Sequence, residues 1–207
     1  VDIIFGPKYS FAIIDNNDLE TTQQMNNLTQ KLAFDISAHQ QRGCNSPHTV
    51  FVKESTIFSI QDFCQSLGQG LERASRLFPN TDLAASTVTN ILNLRAEYSF
   101  KGNVYSSDGT AWTVLYDEKK NSIAEPCFGR TIFVRKIKSV FDVTKKVTEF
   151  HQSIGLAVSE EIKEKLVDEL STKGVSRCPE IGNMSLFELP WDGMFPLERM
   201  VRWAYYD

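Results

Sequence analysis

Short apolar runs rich in β-branched and aromatic residues alternate along this chain with longer segments of helical periodicity. Residues 10–14, 49–52 and 131–137 are runs of the first kind, and each has the length of a β-strand. Apolar residues recur at helical spacing over residues 19–37 and 57–77, which lie between those runs. Parallel strands need such crossovers, because strands that run in the same direction must be joined across the face of the sheet. The alternation therefore predicts an α/β structure with a largely parallel sheet and helices on both faces.

Weaker patterns fill the rest of the chain. Residues 1–5 and residues 110–116 predict two further strands. Residues 83–100 and residues 141–154 carry apolar residues at helical spacing, which predicts two helices. A final helix is predicted over residues 159–171, with acidic residues in its first turn, where the helix dipole favours them.

Length and composition limit the class of protein. A chain of 207 residues, 42% of them hydrophobic, can bury a sizeable core, and no repeat or linker divides it. We therefore predict one domain over residues 1–207. The formal net charge is -4 and no stripe of Lys and Arg dominates any segment, which argues against nucleic-acid binding. No apolar run approaches the roughly 18 residues that a membrane span requires.

Four cysteines are spread along the chain without the short spacings of a zinc site. A chain of this length and hydrophobic content does not need disulfides for stability, so we predict a reducing, cytoplasmic compartment and no metal. Cys64 falls within a helical pattern, Cys127 follows Pro126, and Cys178 precedes Pro179. These three cysteines are predicted to be packing residues.

Cys44 differs from the other three because it lies in the polar segment formed by residues 39–48. A reactive cysteine needs partial exposure and nearby backbone N–H donors, and a loop that leads into a strand offers both. Gly43 immediately before it would let a substrate carbonyl approach the backbone closely. Most lone cysteines are inert, so a packing role stays open as an alternative, as does a protease-like pairing of Cys44 with His151.

Several segments match, in order, a known arrangement of motifs. Residues 5–14 resemble the glycine–lysine–serine strand that opens a catalytic domain, and residues 17–20 resemble the short acidic segment after it. Residues 40–48 resemble a nucleophile loop in which a glutamine precedes the cysteine. With the Cys-x-Ser-Pro order of residues 44–47 and the Trp-Asp-Gly of residues 191–193, the chain resembles the aldehyde dehydrogenase superfamily, and within it the bioluminescence-type long-chain acyl-CoA (fatty acid) reductases.

The resemblance implies a three-layer aldehyde-dehydrogenase-like catalytic domain with a largely parallel sheet, and NAD(P)H-dependent acyl-CoA reductase activity. Cys44 would attack the acyl-CoA thioester and hold the acyl group, which hydride from the cofactor would reduce to a fatty aldehyde. Glu125 would take the place of the superfamily's cofactor-ribose glutamate, in a segment (residues 125–129) that departs from the Glu-Ile-Phe-Gly-Pro order. The neighbours of Cys44 in sequence would surround the substrate, namely Gln41, Asn45, Ser46 and His48.

The cofactor that the resemblance implies is NADPH or NADH. No G-x-G-x-x-G loop occurs in the chain, and Gly68 and Gly70 fall inside a helical pattern. In the superfamily a dinucleotide-binding domain precedes this region, so we expect a domain that is not in this chain to bind most of the cofactor. The resemblance further implies an acyl-CoA substrate, an oligomer, and an acyl-activating or acyl-transferring subunit as a partner.

Two other functions fit the sequence. An ordinary aldehyde dehydrogenase would hydrolyse the acyl-enzyme to an acid, and it would need a positioned carboxylate base. A non-catalytic member of the family would instead serve as a scaffold for an acyl-transferring or acid-activating subunit. In that case Cys44 would be buried and would react with thiol reagents no faster than Cys64.

Overall fold

The structure is a computed structural model, and it describes residues 6–79, 83–191, 193–205 and 207. Within these ranges the strands are β1 (Tyr9–Asp15), β2 (Pro47–Lys53), β3 (Asn103–Ser106), β4 (Thr113–Tyr116), β5 (Thr131–Ile137) and β6 (His151–Ala157). The helices of the same ranges are α1 (Thr22–Ser37), α2 (Ile60–Leu77), α3 (Ala85–Lys101), α4 (Glu160–Ser171) and α5 (Pro196–Met200). The strands form one sheet in the order β3-β4-β5-β2-β1-β6.

The sheet confirms the predicted parallel arrangement. β1 lies inside the sheet and pairs in parallel with β2 on one side and with β6 on the other. β5 and β4 continue the parallel order beyond β2, and β3, at the edge, runs antiparallel to β4. The strands predicted over residues 10–14, 49–52 and 131–137 correspond to β1, β2 and β5.

Alternate residues of the strands face two different layers of helices. Ala12 and Ile14 of β1 point into a core that also holds the apolar faces of α1 and α2. Phe11 and Ile13 point to the opposite face, where Leu166 of α4 packs. A smaller cluster on that second face joins α3 to β4 and β5. Helices therefore cover both faces of the sheet, as a buried parallel sheet requires, and the predicted three-layer fold is confirmed.

The helix predicted over residues 141–154 is wrong. This segment forms two 3-10 turns, Val140–Asp142 and Thr144–Lys146, and then enters β6. β6 is buried along nearly its whole length, so it lacks the alternation of polar and apolar residues that marks a half-buried strand. Apolar spacing in a short window does not separate a buried strand from a helix, and pairing with β1 decided between them.

Smaller differences concern the ends of elements. The sequence patterns do not predict β3, a strand of four residues at the edge of the sheet. α1 begins at Thr22 rather than near residue 19, because Thr21 and Gln24 form a reciprocal capping box. The strand predicted over residues 1–5 lies outside the described residues. None of the helices in the described ranges has the length and hydrophobicity of a membrane span.

Gly102 leaves no room for a side chain, because a Cβ atom there would overlap the backbone oxygen of Tyr116 where α3 meets β3 and β4. We expect Gly102→Ala to lower the free energy of unfolding by about 1–3 kcal/mol, since the strands must separate to admit the methyl group. Urea denaturation measures this change. Gly109→Ala is the control, because no atom lies within 4 Å of a Cβ placed there. Equal unfolding midpoints for the two variants would contradict the prediction.

Candidate active site

The segment that holds Cys44 lies at the amino-terminal edge of the parallel strands. The cysteine loop (residues 42–46) comes after α1 and a short 3-10 turn and leads into β2, so it precedes its strand. The starts of β1 and β6 lie beside it, where Ser10 and Ser153 are found. Open α/β sheets usually bind ligands at the carboxyl ends of their strands. The cysteine loop lies at the opposite edge, so the usual ligand position of such sheets does not account for a site here, and the loops of this chain must form it.

Hydrogen bonds hold the backbone of the cysteine loop on both sides of the thiol. The Ser10 hydroxyl donates to the Cys44 carbonyl oxygen at 2.6 Å and accepts from the Ser153 N–H at 3.3 Å. The Ser46 N–H donates to the Gly43 carbonyl oxygen at 3.0 Å, which closes the turn around Cys44. Cys44 itself is partly exposed. The loop therefore presents its thiol on a backbone of defined geometry.

The other cysteines are packing residues, as predicted. All four cysteines lie in the described part of the chain, and no disulfide joins any of them. Cys64 lies on the inner face of α2 and is completely buried, and burial raises the pKa of its thiol. Cys127 and Cys178 pack on the opposite face of the sheet, where burial raises both pKa values, that of Cys178 to about 11. These three thiols are protonated near neutral pH.

A strained turn precedes the cysteine loop. His39, Gln40 and Gln41 all have left-handed backbone, with φ values of 50°, 55° and 59°. Each such residue costs about 1 kcal/mol or more, because its Cβ approaches the following carbonyl oxygen. The buried amide of Gln41 offsets this cost. It donates to the carbonyl oxygens of Pro47 and Thr131 and accepts from the Thr131 N–H, each at 3.0 Å, and so joins the turn to the starts of β2 and β5.

A second left-handed turn leads into β5. Phe128, Gly129 and Arg130 have φ values of 65°, 62° and 56°. The Phe128 ring contacts the His48 ring edge-on at a centroid distance of 5.2 Å. Arg130 is completely buried and donates to the carbonyl oxygen of Phe78 at the end of α2, where a cation complements the helix dipole. Both left-handed turns therefore lie beside the starts of β2 and β5.

Glu125 is exposed on the segment that leads into the second turn. The Ala124 N–H donates to Thr49 Oγ1 at 3.1 Å, which places Glu125 close to the start of β2. Two cavities, of about 680 Å³ and 390 Å³, share Glu125 in their walls, and Cys44 lines neither of them. A carboxylate in this position can accept hydrogen bonds from neighbouring hydroxyl groups of a sugar.

The residues that the sequence placed around the substrate are all buried, namely Gln41, Asn45, Ser46 and His48. Asn45 donates to the Met184 carbonyl oxygen at 2.9 Å, and the Ser46 hydroxyl donates to the Ala38 carbonyl oxygen at 3.5 Å. Nδ1 of His48 has no partner among the described residues, and burial lowers the pKa of this imidazole to about 4. The four side chains support the cysteine loop, and direct contact with a substrate stays a prediction.

The contacts of His151 give no support to a protease-like pair with Cys44. Nδ1 of His151 accepts from the Thr148 N–H at 3.0 Å, and the ring lies edge-on against Phe11 at 5.4 Å. Phe11 belongs to the core beneath α4, whereas the cysteine loop follows α1 on the opposite face. Among the residues that the structure describes, no three His, Cys, Asp or Glu side chains come together as ligands for a metal ion.

A group of residues behind the cysteine loop was not predicted from the sequence. The bridging segment (residues 182–186) binds Asp35 of α1 and also Arg177. Burial raises the pKa of the Asp35 carboxyl to about 6. A signal for Asp35 was available, because it follows Leu32 by three residues and so lies on the apolar stripe of α1, where a carboxyl group needs partners. Arg177 lies in an irregular segment, and no local pattern marks it.

Comparison with known proteins gives a family and a set of curated relatives. A family model described as "Acyl-CoA reductase (LuxC)" matches residues 1–203. A long-chain acyl-protein thioester reductase of Photobacterium phosphoreum is 24% identical over 211 residues, which cover 100% of this chain and 41% of the relative. The reductase of the same name from Photorhabdus luminescens is 24% identical over 212 residues, with coverage of 100% and 42%. The chain thus spans about two fifths of the length of these relatives.

Several solved structures share the fold. A bifunctional proline utilization A protein superposes with a TM-score of 0.64 at 13% identity, over 86% of this chain and 19% of its own. The γ-glutamyl-γ-aminobutyraldehyde dehydrogenase of Burkholderia cenocepacia gives 0.56 at 14% identity, over 84% and 38%. A 1-pyrroline-5-carboxylate dehydrogenase from Thermus, solved with bound NAD, gives 0.56 at 14% identity, over 84% and 36%. At these identities the likeness is one of architecture.

Gln41→Leu tests the connection between the strained turn and the two strands. The change removes three hydrogen bonds to backbone groups, although the Thr131 N–H keeps the Phe128 carbonyl oxygen as an acceptor at 3.1 Å, so we expect the free energy of unfolding to fall by about 1–3 kcal/mol. Chemical denaturation followed by circular dichroism measures it. Gln65→Leu, on the exposed side of α2, is the matched control and should change stability by about 0.5 kcal/mol or less. Similar losses in both variants would rule out a special role for the Gln41 amide.

His48 should make stability depend on pH. Its pKa in the folded protein, about 4, lies below that of an unfolded histidine, so the unfolded state binds the proton first and stability is lost as pH falls from about 6.5 towards 4. We expect His48→Gln to reduce this loss by up to about 1.4 kcal/mol per pH unit. Asp35, with its raised pKa of about 6, acts in the opposite direction, so the informative quantity is the difference between variant and parent.

The measurement for His48 is a series of unfolding midpoints between about pH 4 and pH 7. His39→Asn is the control, because His39 is exposed and Asn tolerates the left-handed backbone at that position. The control should follow the parent curve. A His48→Gln curve parallel to that of the parent would show that this imidazole titrates alike in both states.

Proposed function

The chain belongs to the acyl-CoA reductase (LuxC) family, and from that premise we propose that Cys44 accepts the acyl group in a thioester reductase. The observation that carries the proposal is a partly exposed thiol on a backbone held by Ser10 and Ser46. The family match supports it, because it runs over residues 1–203 and so includes the cysteine loop. Cys44 is partly exposed and lies in a polar loop, whereas the other three cysteines pack in or against hydrophobic clusters.

Acyl transfer begins when the Cys44 thiolate attacks the carbonyl carbon of a thioester. The new carbon–sulfur bond forms as the donor's carbon–sulfur bond breaks, and the donor thiol leaves, so no water is consumed. The backbone N–H of Cys44 donates to the developing oxyanion, with a second donor from outside this chain. A nicotinamide cofactor, when bound, supplies the hydride that reduces the acyl group. Release of the aldehyde returns Cys44 to its thiolate form.

The substrate in this proposal is a long-chain acyl thioester, carried by CoA or by a protein. The names of the two curated relatives support it, since both are long-chain acyl-protein thioester reductases. An acyl-activating or acyl-transferring subunit is then a natural partner. We also propose a cytoplasmic, oligomeric enzyme.

Glu125 is the residue of this chain proposed to contact the cofactor. Its exposed carboxylate, shared by two cavities, fits the hydroxyl groups of a ribose. Most of the binding site for NADPH or NADH is proposed to lie in a separate dinucleotide-binding domain. The length of the relatives supports this division, because residues 1–207 cover 41% of one of them.

Two observations favour reduction over the alternatives. A dehydrogenase that hydrolyses its acyl-enzyme needs a carboxylate base, and Asp35, the buried acid behind the cysteine loop, is occupied by backbone N–H groups of the bridging segment. A scaffold without activity would have Cys44 as buried as Cys64. Cys64 is completely buried, whereas Cys44 is partly exposed.

Acylation of Cys44 can be measured without any cofactor. We expect the intact mass of the protein, after mixing with a long-chain acyl-CoA, to rise by one acyl group, and we expect Cys44→Ser to abolish this adduct because a hydroxyl is a far weaker nucleophile. The protein should be used at its natural length, so that every substrate contact is present.

Cys64→Ser is the matched control for acylation and should acquire the adduct at the parent rate. When NADPH or NADH is then added, the adduct should disappear with release of aldehyde. Release of fatty acid instead would favour the dehydrogenase alternative. A parent protein that never acquires the adduct would contradict the proposed role of Cys44.

A further inference from the structure

The bridging segment is irregular in backbone, Met184 at its centre is completely buried, and charges of opposite sign hold the segment from two sides. On the side of α1, the Asp35 carboxylate accepts from the N–H groups of Gly182 at 2.5 Å and Met184 at 3.1 Å. On the other side, the Arg177 guanidinium donates to the carbonyl oxygens of Met184 at 3.4 Å and Leu186 at 2.8 Å. The acid and the base therefore bind different peptide groups of the segment and meet at Met184, whose N–H binds Asp35 and whose carbonyl oxygen binds Arg177.

The carbonyl oxygen of Met184 is shared with the cysteine loop. The Asn45 side-chain amide donates to it at 2.9 Å, while Nη1 of Arg177 donates to it at 3.4 Å. Asn45 is the residue after Cys44, and its amide oxygen lies 2.5 Å from the position that a Cβ on Gly43 would take. The side chain of Asn45, which follows Cys44, thus packs against Gly43, which precedes it. A single side chain therefore connects the Met184 carbonyl to the residue that follows Cys44.

Arg177 is suited to hold this carbonyl because its own position is fixed. Its backbone carbonyl accepts from the Ile154 N–H of β6 at 2.9 Å, and its guanidinium lies over the Trp191 ring at 5.2 Å. The side chain is buried, and its guanidinium donates to two carbonyl oxygens of the bridging segment. A buried charge is expensive unless it is hydrogen-bonded, so these two bonds fix the guanidinium against the segment.

We propose that Arg177 is a positioning residue for Cys44, acting through the Met184 carbonyl oxygen and the Asn45 amide. This inference rests on the proposed role of Cys44 as the acyl acceptor. Arg177 and Asp35 together fix the bridging segment, the Met184 carbonyl fixes Asn45, and Asn45 fixes the peptide that follows the nucleophile. A thiol displaced by about 1 Å loses much of its rate even when the protein remains folded.

The test compares Arg177→Lys, Asn45→Ala and the double variant in the acylation reaction. Lysine keeps the charge but cannot reach both carbonyl groups, so we expect the maximal rate of acylation to fall by about tenfold or more. The acyl-CoA concentration at half-maximal rate should stay within about twofold, since substrate binding is not the function assigned to Arg177. The double variant should be no slower than the slower single variant, because both changes remove donors to one acceptor.

Arg95→Lys is the matched control. Arg95 also holds a loop, by donating to the carbonyl oxygens of Gly109 at 2.8 Å and Trp112 at 3.0 Å, but it does so beside β3 and β4. It should lower thermal stability as Arg177→Lys does and should leave the acylation rate unchanged. A parent-like rate in Arg177→Lys, an equal slowing in Arg95→Lys, or independent effects in the double variant would each overturn the proposal.

Alkylation of Cys44 by iodoacetamide separates this inference from the proposed function. The reagent reacts according to the access and ionisation of the thiol, and it needs no acyl-binding site. If the parent is never acylated, the proposed function fails, and the alkylation rates decide on Arg177 alone. A change in the alkylation rate of Cys44 in Arg177→Lys that Arg95→Lys does not share supports the positioning role, and equal rates in the two variants and the parent overturn it.

Discussion

Parallel pairing of β1 with both β2 and β6 is the constraint on which the candidate site depends. It brings the starts of three strands together, so that the Ser10 hydroxyl lies between the Cys44 carbonyl oxygen and the Ser153 N–H. A hydroxyl group can donate and accept at once, and here it satisfies two backbone groups at an edge where the ladder of strand hydrogen bonds is ending. The position of the cysteine loop follows from the order of the strands.

Buried polar side chains replace regular secondary structure around that loop. Gln41 binds the starts of two strands from a left-handed turn, and Asp35 and Arg177 bind the bridging segment behind it. A buried amide or charge costs free energy unless it is hydrogen-bonded, and each of these three makes at least two bonds to backbone groups. Their shared effect is to define the backbone of a short loop. A nucleophile benefits from such preorganisation, because reaction rates fall steeply with misplacement.

The architecture and the site carry different kinds of information about function. A proline utilization A protein at 13% identity and an aldehyde dehydrogenase at 14% retain the layered fold, with TM-scores of 0.64 and 0.56, because many sequences satisfy the same pattern of buried strands and amphipathic helices. A fold of this kind supports many reactions. The proposed reduction of a thioester therefore rests on the family match and on the surroundings of Cys44, where a loop unrelated to the layering presents a thiol.

The sequence by itself determined the layers, the parallel sheet and the cysteine that stands in a polar loop, because these depend on local periodicity and on the polarity of neighbouring residues. It failed at β6, where a strand buried on both faces has no alternation to recognise. Only the tertiary structure decided which side chains hold the loop. Gln41 and Thr131 are 90 positions apart in the sequence, and Asn45 and Met184 are 139 apart, yet each pair is hydrogen-bonded. Such contacts depend on the order of the strands and the path of the loops, which no local pattern encodes.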